Sequence, residues 1–108
     1  MKYSEKLKIA REFLELTQDQ VASALDMTRN SIVNIENNKR SVKSDELYKF
    51  SKLYGISMEE IVSNQEIDVN DIVFEKRFKM LNEKDKKEVI NLVNFKINNK
   101  EEKLKKSK

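Results

Sequence analysis

At 108 residues, with 38% charged and 38% hydrophobic residues, one glycine and no proline, the sequence has room for one domain and a short appendage. It has too few turn residues for a strand-rich fold. The absence of cysteine excludes disulfides, thiolate metal sites and cysteine nucleophiles, and the absence of histidine removes the commonest general base and metal ligand, so neither an enzyme nor a cofactor is expected. No apolar run approaches a membrane span and no signal-peptide core opens the chain, so a cytoplasmic protein without a membrane partner is expected. The net charge of +3 is only mildly basic: residues 1–63 hold ten Lys+Arg against ten Asp+Glu, and residues 64–108 hold twelve against nine. Any case for a polyanionic partner therefore has to come from local arrangement.

In chain order, Leu7, Ala10 and Leu14 share one face of a helix over Lys6 to Leu16. Thr17-Gln-Asp-Gln20 is a capping box for a second helix, with Val21, Ala22 and Leu25 inward. After Asp26 and Met27, Thr28 caps a third helix that turns Ile32 and Ile35 inward and Arg29, Asn30, Val33 and Asn34 elsewhere. That helix is expected to end at Asn37-Asn38, because asparagine tolerates the left-handed conformation, and Lys39 to Lys43 reads as a basic loop. A fourth helix starts near Ser44, buries Leu47, Phe50 and Leu53, and closes at Gly55; Ser57-Met-Glu-Glu60 caps a short fifth helix that buries Ile61. Helices two and three, joined by about three residues, have helix-turn-helix spacing, which DNA readers and purely structural hairpins share. The acidic pairs Asp45-Glu46 and Glu59-Glu60 sit in first helical turns, where acids suit the dipole, and they need no acid–base role.

The segment Leu16-Thr-Gln-Asp-Gln-Val-Ala-Ser-Ala-Leu, followed by Ser31-Ile-Val-Asn-Ile-Glu-Asn-Asn-Lys-Arg, resembles the phage repressor and Cro-type (Xre) family, and Leu47, Phe50, Leu53, Gly55-Ile-Ser and Ile61 continue the match. The resemblance implies an all-α fold: a five-helix repressor-like DNA-binding domain over residues 4–63, with the motif at about 17–38. It further implies a sequence-specific regulator whose partner is double-stranded DNA. By that likeness Arg29, Asn30 and Asn34 face base edges, chemistry that suits arginine to guanine and asparagine to adenine. Gln18, Thr28, Ser31, Asn37, Lys39 and Arg40 match positions that touch the phosphate backbone, with Lys43 a weaker candidate, and Arg11 and Glu36 match a structural ion pair between helices one and three. The sequence departs from the family at Asn38, where glycine is usual, and near Val42, where proline is common. Val33, without a polar head, is left for a thymine methyl or for no contact.

Residues 64–70 read as a linker and 71–100 as a two-helix extension. Phe74, Phe78 and Leu81 form one stripe over Asp71 to Leu81, and Asn82 caps a long helix carrying Val89, Ile90, Leu92, Val93, Phe95 and Ile97. So much apolar surface on an appendage needs a partner. A homodimer through Phe74, Phe78, Val89, Leu92, Val93 and Ile97 is expected, with folding back on the domain or a regulatory protein partner as the alternatives. The Lys-rich end, residues 101–108, reads as a frayed basic tail. These features favour a dimeric repressor on a palindromic operator. An antitoxin, or an interaction module that no longer reads DNA, stands as the alternative.

Overall fold

Apart from the first, each helix begins where the sequence supplies a side-chain acceptor for an unpaired amide. A computed structural model describes residues 1–106 as α1 (Tyr3–Phe13), α2 (Gln18–Leu25), α3 (Arg29–Glu36), α4 (Ser44–Tyr54), α5 (Met58–Val62), α6 (Val69–Lys79) and α7 (Glu83–Lys106). The fold is all-α, a repressor-like helix-turn-helix arrangement with additional helices. Thr17 accepts from the Gln20 amide at 3.0 Å while the Gln20 side chain accepts from the Thr17 amide at 2.8 Å; Ser57 and Glu60 repeat the box at 3.0 Å in both directions. Thr28, Asp68 and Asn82 cap α3, α6 and α7 through single bonds to the amides of Ser31, Asp71 and Asp85.

The chain stops helices with little glycine because acids and an asparagine take the left-handed conformation instead. Glu15 (φ 57°), Asp26 (φ 55°) and Asn38 (φ 59°) each follow a helix, and Gly55 (φ 71°) follows α4. At the first three, the next amide reaches back to a carbonyl five residues earlier: Leu16 to Arg11, Met27 to Ala22 and Lys39 to Asn34, at 3.1, 2.8 and 2.8 Å. These are Schellman closures, which satisfy carbonyls that a helix end otherwise leaves open. The stop at Glu15 ends α1 at Phe13, earlier than the periodicity of Leu7, Ala10 and Leu14 predicts, and α1 also begins earlier, at Tyr3.

The chain divides into two units, Met1–Lys76 and the residues from Arg77 onward. In the first, Leu7, Ala10, Val21, Ile32, Ile35, Phe50, Tyr54, Ile56 and Ile61 are fully buried or nearly so, with Leu14, Leu47 and Leu53 half-buried against them. Val69 and Val73 join this core, with Ile67 and Ile72 packed against it. The first two turns of α6 belong to the repressor-like unit, because Val69, Ile72 and Val73 (i, i+3, i+4) supply a buried stripe of their own. Phe74, placed in the stripe by the sequence reading, is 48% exposed.

Two polar groups inside this unit escaped sequence reasoning. Lys6 is fully buried, and its ammonium donates to the Glu60 and Ser63 carbonyls at 2.9 and 2.6 Å, capping the C-terminal end of α5 from α1. The Tyr54 hydroxyl is buried without a hydrogen-bond partner among the described residues, and burial, reinforced by the Glu36 charge, pushes its pKa up.

In the second unit, α7 carries Ile90, Leu92, Val93, Phe95 and Ile97, each between 46% and 62% exposed, and Val89 is half-exposed. The Lys86 ammonium lies 6.0 Å from the Phe78 ring centre and 3.5 Å from Glu83. Helix α7 continues to Lys106, through most of the segment expected to fray, and the last two residues of that tail lie outside the described residues. No helix among the described residues is long and apolar enough to cross a membrane.

Candidate nucleic-acid interface

Three residues separate α2 from α3, and the two helices are tied by more than their short turn. Arg11 on α1 grips Glu36 at the end of α3 with two parallel bonds, Nε to Oε2 at 2.8 Å and Nη2 to Oε1 at 3.0 Å, and its Nη1 donates to the Leu16 carbonyl at 2.9 Å. The Glu36 side chain is 2% exposed, so this is a buried ion pair, and the carboxylate raises the guanidinium pKa through hydrogen bonding and charge. Gln18, the first residue of α2, completes the cluster by donating its amide to Glu36 Oε1 at 3.2 Å. Three helices thus meet at one carboxylate. Such an arrangement adds little net stability over an apolar one, but it fixes the pitch of α3 against α1 and α2.

Fixing α3 presents its opposite edge. Ile32, Ile35 and Glu36 are buried, while Arg29 and Asn30 are exposed and Val33 and Asn34 half-buried. At 100° per residue, positions 29, 30, 33, 34 and 37 span less than half the helix circumference, directly away from Ile32 and Ile35. The edge offers a guanidinium and the amides of Asn30, Asn34 and Asn37. Arg29 is 64% exposed and lies 3.7 Å from Asp19, a loose surface pair that contributes little to stability.

The expected backbone-contact residues lie in different settings. Asn37 and Lys39 are exposed in the turn after α3, and Gln18 is half-buried on Glu36. Thr28 and Ser31 are occupied with each other: their hydroxyls lie 2.9 Å apart and Thr28 caps the Ser31 amide. Arg40 turns back onto the protein. Its two terminal nitrogens donate to the two oxygens of Glu46 at 3.0 and 2.8 Å. Glu46, the third residue of α4, also accepts from the Lys43 amide at 2.9 Å, and the Arg40 fork holds its carboxyl below the usual carboxylate range. A glutamate three residues after Lys43 is the signal that predicts this N-terminal lock.

This geometry defines a helix-turn-helix with a braced second helix and an exposed polar edge. The chain belongs to the helix-turn-helix domain family, whose sequence profile matches residues 4–67. It is 28% identical over 69 residues to the cryptic phage CTXphi transcriptional repressor RstR of Vibrio cholerae, a match covering 64% of this chain and 62% of RstR. Over 67 residues it is 31% identical to the HTH-type transcriptional regulator ImmR of Bacillus subtilis, covering 62% of this chain and 53% of ImmR. It is also 34% identical over 67 residues to the control protein C.MunI of a Mycoplasma species, covering 61% of this chain and 90% of that protein. The chain thus spans less than two thirds of the length of RstR and of ImmR. A transcriptional regulator from Listeria innocua has the same fold at a TM-score of 0.55 and 16% identity, over 87% of this chain and 91% of that one.

Proposed function

We propose that this protein is a sequence-specific DNA-binding transcriptional regulator, a repressor that acts as a homodimer on a palindromic operator. The observation that carries the reading is the exposed edge of α3, Arg29, Asn30 and Asn34, braced from behind by the three-way contact of Arg11, Gln18 and Glu36. An α-helix fits the major groove, where arginine can make two bonds to guanine and asparagine two to adenine. Asn37 and Lys39 then lie at the end of the reading helix, where contacts to phosphate set register without carrying sequence information. The relatives named as a repressor and a regulator support the same reading.

One α3 reads few base pairs, and two related by a two-fold axis read half-sites about 34 Å apart. The exposed apolar face of α7 supports a second copy as its occupant. Selection of bound duplexes from random DNA tests the whole reading. A palindromic consensus is expected, with Arg29→Ala and Asn34→Ala each losing about 1–3 kcal/mol and relaxing discrimination at one base position. Lys39→Ala is expected to weaken all sequences alike and flatten the salt dependence. Failure to enrich any sequence sinks the DNA reading and leaves a protein-interaction module. A wild-type protein that sediments as a monomer assigns the α7 face to another protein, which favours the antitoxin reading.

A further inference from the structure

The basic turn after α3 is held at more points than an exposed loop of this composition requires. Its start is closed by the Lys39 amide on the Asn34 carbonyl at 2.8 Å. Near its end the Val42 amide donates to the Tyr3 hydroxyl at 3.3 Å, and the Lys43 amide to Glu46 at 2.9 Å. Between these anchors the Arg40 guanidinium spends its fork on the protein: two bonds to the Glu46 carboxylate, and a third from Nη1 to the Ser41 carbonyl at 3.2 Å. The Arg40 side chain is 30% exposed and that of Glu46 is 11% exposed. A planar fork matched to a carboxylate in this way is geometrically specific, and lysine cannot reproduce it.

We propose that Arg40 and Glu46 form a positioning pair for DNA binding. Arg40 does not meet phosphate. It fixes the turn so that Lys39, together with Asn37, meets the backbone at the register that α3 needs. Glu46, an acid on the DNA side of the fold's basic turn, then supports binding instead of opposing it, because its charge is spent on Arg40 and on the Lys43 amide. The inference rests on the DNA-reading function proposed above. It separates cleanly from the alternative in which Arg40 itself grips a phosphate, because the two roles give Glu46 opposite signs. If Arg40 is a phosphate contact, Glu46 competes with DNA for it. If Arg40 is a positioning residue, Glu46 is its necessary partner.

The test is fluorescence anisotropy of the full chain on a duplex recovered by selection from random DNA, titrated across a salt series, with circular dichroism confirming the folded fraction. Glu46→Gln keeps an oxygen for the Lys43 amide and removes the charge that holds Arg40. It is expected to weaken binding by about tenfold, the scale of one strongly coupled contact. Arg40→Lys is expected to bind as weakly as Arg40→Ala, and the Arg40→Ala/Glu46→Gln double variant no more weakly than either single one. The slope of log affinity against log salt falls by about 0.9 in Lys39→Ala and no further in Lys39→Ala/Arg40→Ala, because Arg40 acts through Lys39, whereas a second lost phosphate contact lowers it by about 0.9 again. Tighter binding by Glu46→Gln, wild-type affinity in Arg40→Lys, or a lower slope in Lys39→Ala/Arg40→Ala than in Lys39→Ala overturns the proposal. If Glu46→Gln lowers the folded fraction, the slopes of Lys39→Ala and Lys39→Ala/Arg40→Ala decide the matter alone. A wild-type chain that selects no duplex refutes the DNA reading itself, and the positioning role falls with it; a wild type that binds while these variants misbehave refutes only the positioning role.

Discussion

The two units of this chain treat their apolar and charged residues in opposite ways. In Met1–Lys76 most large aliphatic side chains are buried or half-buried, with Val62 left exposed, and the charged groups drawn inside are each matched: Arg11 with Glu36, Lys6 with two carbonyls, Arg40 with Glu46. In α7 five large apolar side chains stand about half exposed. The first unit's sequence is accounted for by its own fold. That of α7 is not, and the unexplained residue types are those an interface needs. The contrast separates what this chain requires in order to fold from what it holds ready for something else.

The largest expected effect that tests this contrast is in the buried carboxylate cluster. Arg11→Met leaves Glu36 charged and enclosed with only the Gln18 amide for company, and a loss of about 3–5 kcal/mol in urea unfolding is expected. Adding Glu36→Leu to the same chain is expected to recover most of the loss, since an apolar pair of similar volume serves the core as well. A single variant with wild-type stability shows that the cluster is not sealed. Next in size is Lys6→Met, which keeps the apolar stem and removes the cap on Glu60 and Ser63. The orphaned carbonyls are expected to cost about 1–3 kcal/mol, with fraying of α5 visible in amide hydrogen exchange before α1 is affected.

How much of this was legible follows from the kind of signal each feature leaves. Caps are local, so Thr17 with Gln20, Thr28, Ser57 with Glu60, Asn82 and the closing Gly55 could be read one element at a time, and with them the helix order. The outward edge Arg29, Asn30 and Asn34 follows from the inward Ile32 and Ile35 by helical period alone. The stop at Glu15 was not legible, because glutamate in the left-handed region has no compositional signature. Lys6 reads as a solvated residue until α5 is known to end beside it. In α6 two apolar stripes compete, and only the shape of the core selects Val69 and Val73 over Phe74. The role of Arg40 is open to the sequence for the same reason. What a guanidinium does depends on which carboxylate the fold brings to it, and the pairing of Arg40 with Glu46 is visible only once α4 is placed beside the turn.

A smaller effect appears on acidification. Glu46, beside the Arg40 fork, and Glu60, under the Ser57 amide, have folded-state pKa values below the usual 4.5. A carboxyl depressed by folding contributes stability that is fully present above its unfolded pKa and is lost as pH falls from there through the lower folded value. Melting temperature is therefore expected to hold from neutral pH down to the ordinary carboxylate range and to fall below it. Glu46→Gln and Glu60→Gln each start lower at neutral pH and flatten the acid limb. An acid limb of unchanged steepness in both variants assigns acid sensitivity to other groups.

The smallest expected effect on the fold is the one that most sharpens the contrast between the units. Val93 and Ile97 are 46% and 51% exposed on α7, so Val93→Ser with Ile97→Ser removes apolar surface that already faces water. Surface changes of this kind usually fall within about 0.5 kcal/mol. Melting of a dimer would mix association into that number, so the readout is amide hydrogen exchange in α1–α4, which reports the opening of the first unit by itself. Unchanged protection there, together with a shift to monomer in sedimentation, is the outcome expected if α7 holds a second copy. A loss of protection beyond about 1 kcal/mol means that the first unit depends on those side chains, and the division between folding residues and interface residues fails. Unchanged protection with unchanged sedimentation leaves that division standing and removes Val93 and Ile97 from the interface between copies.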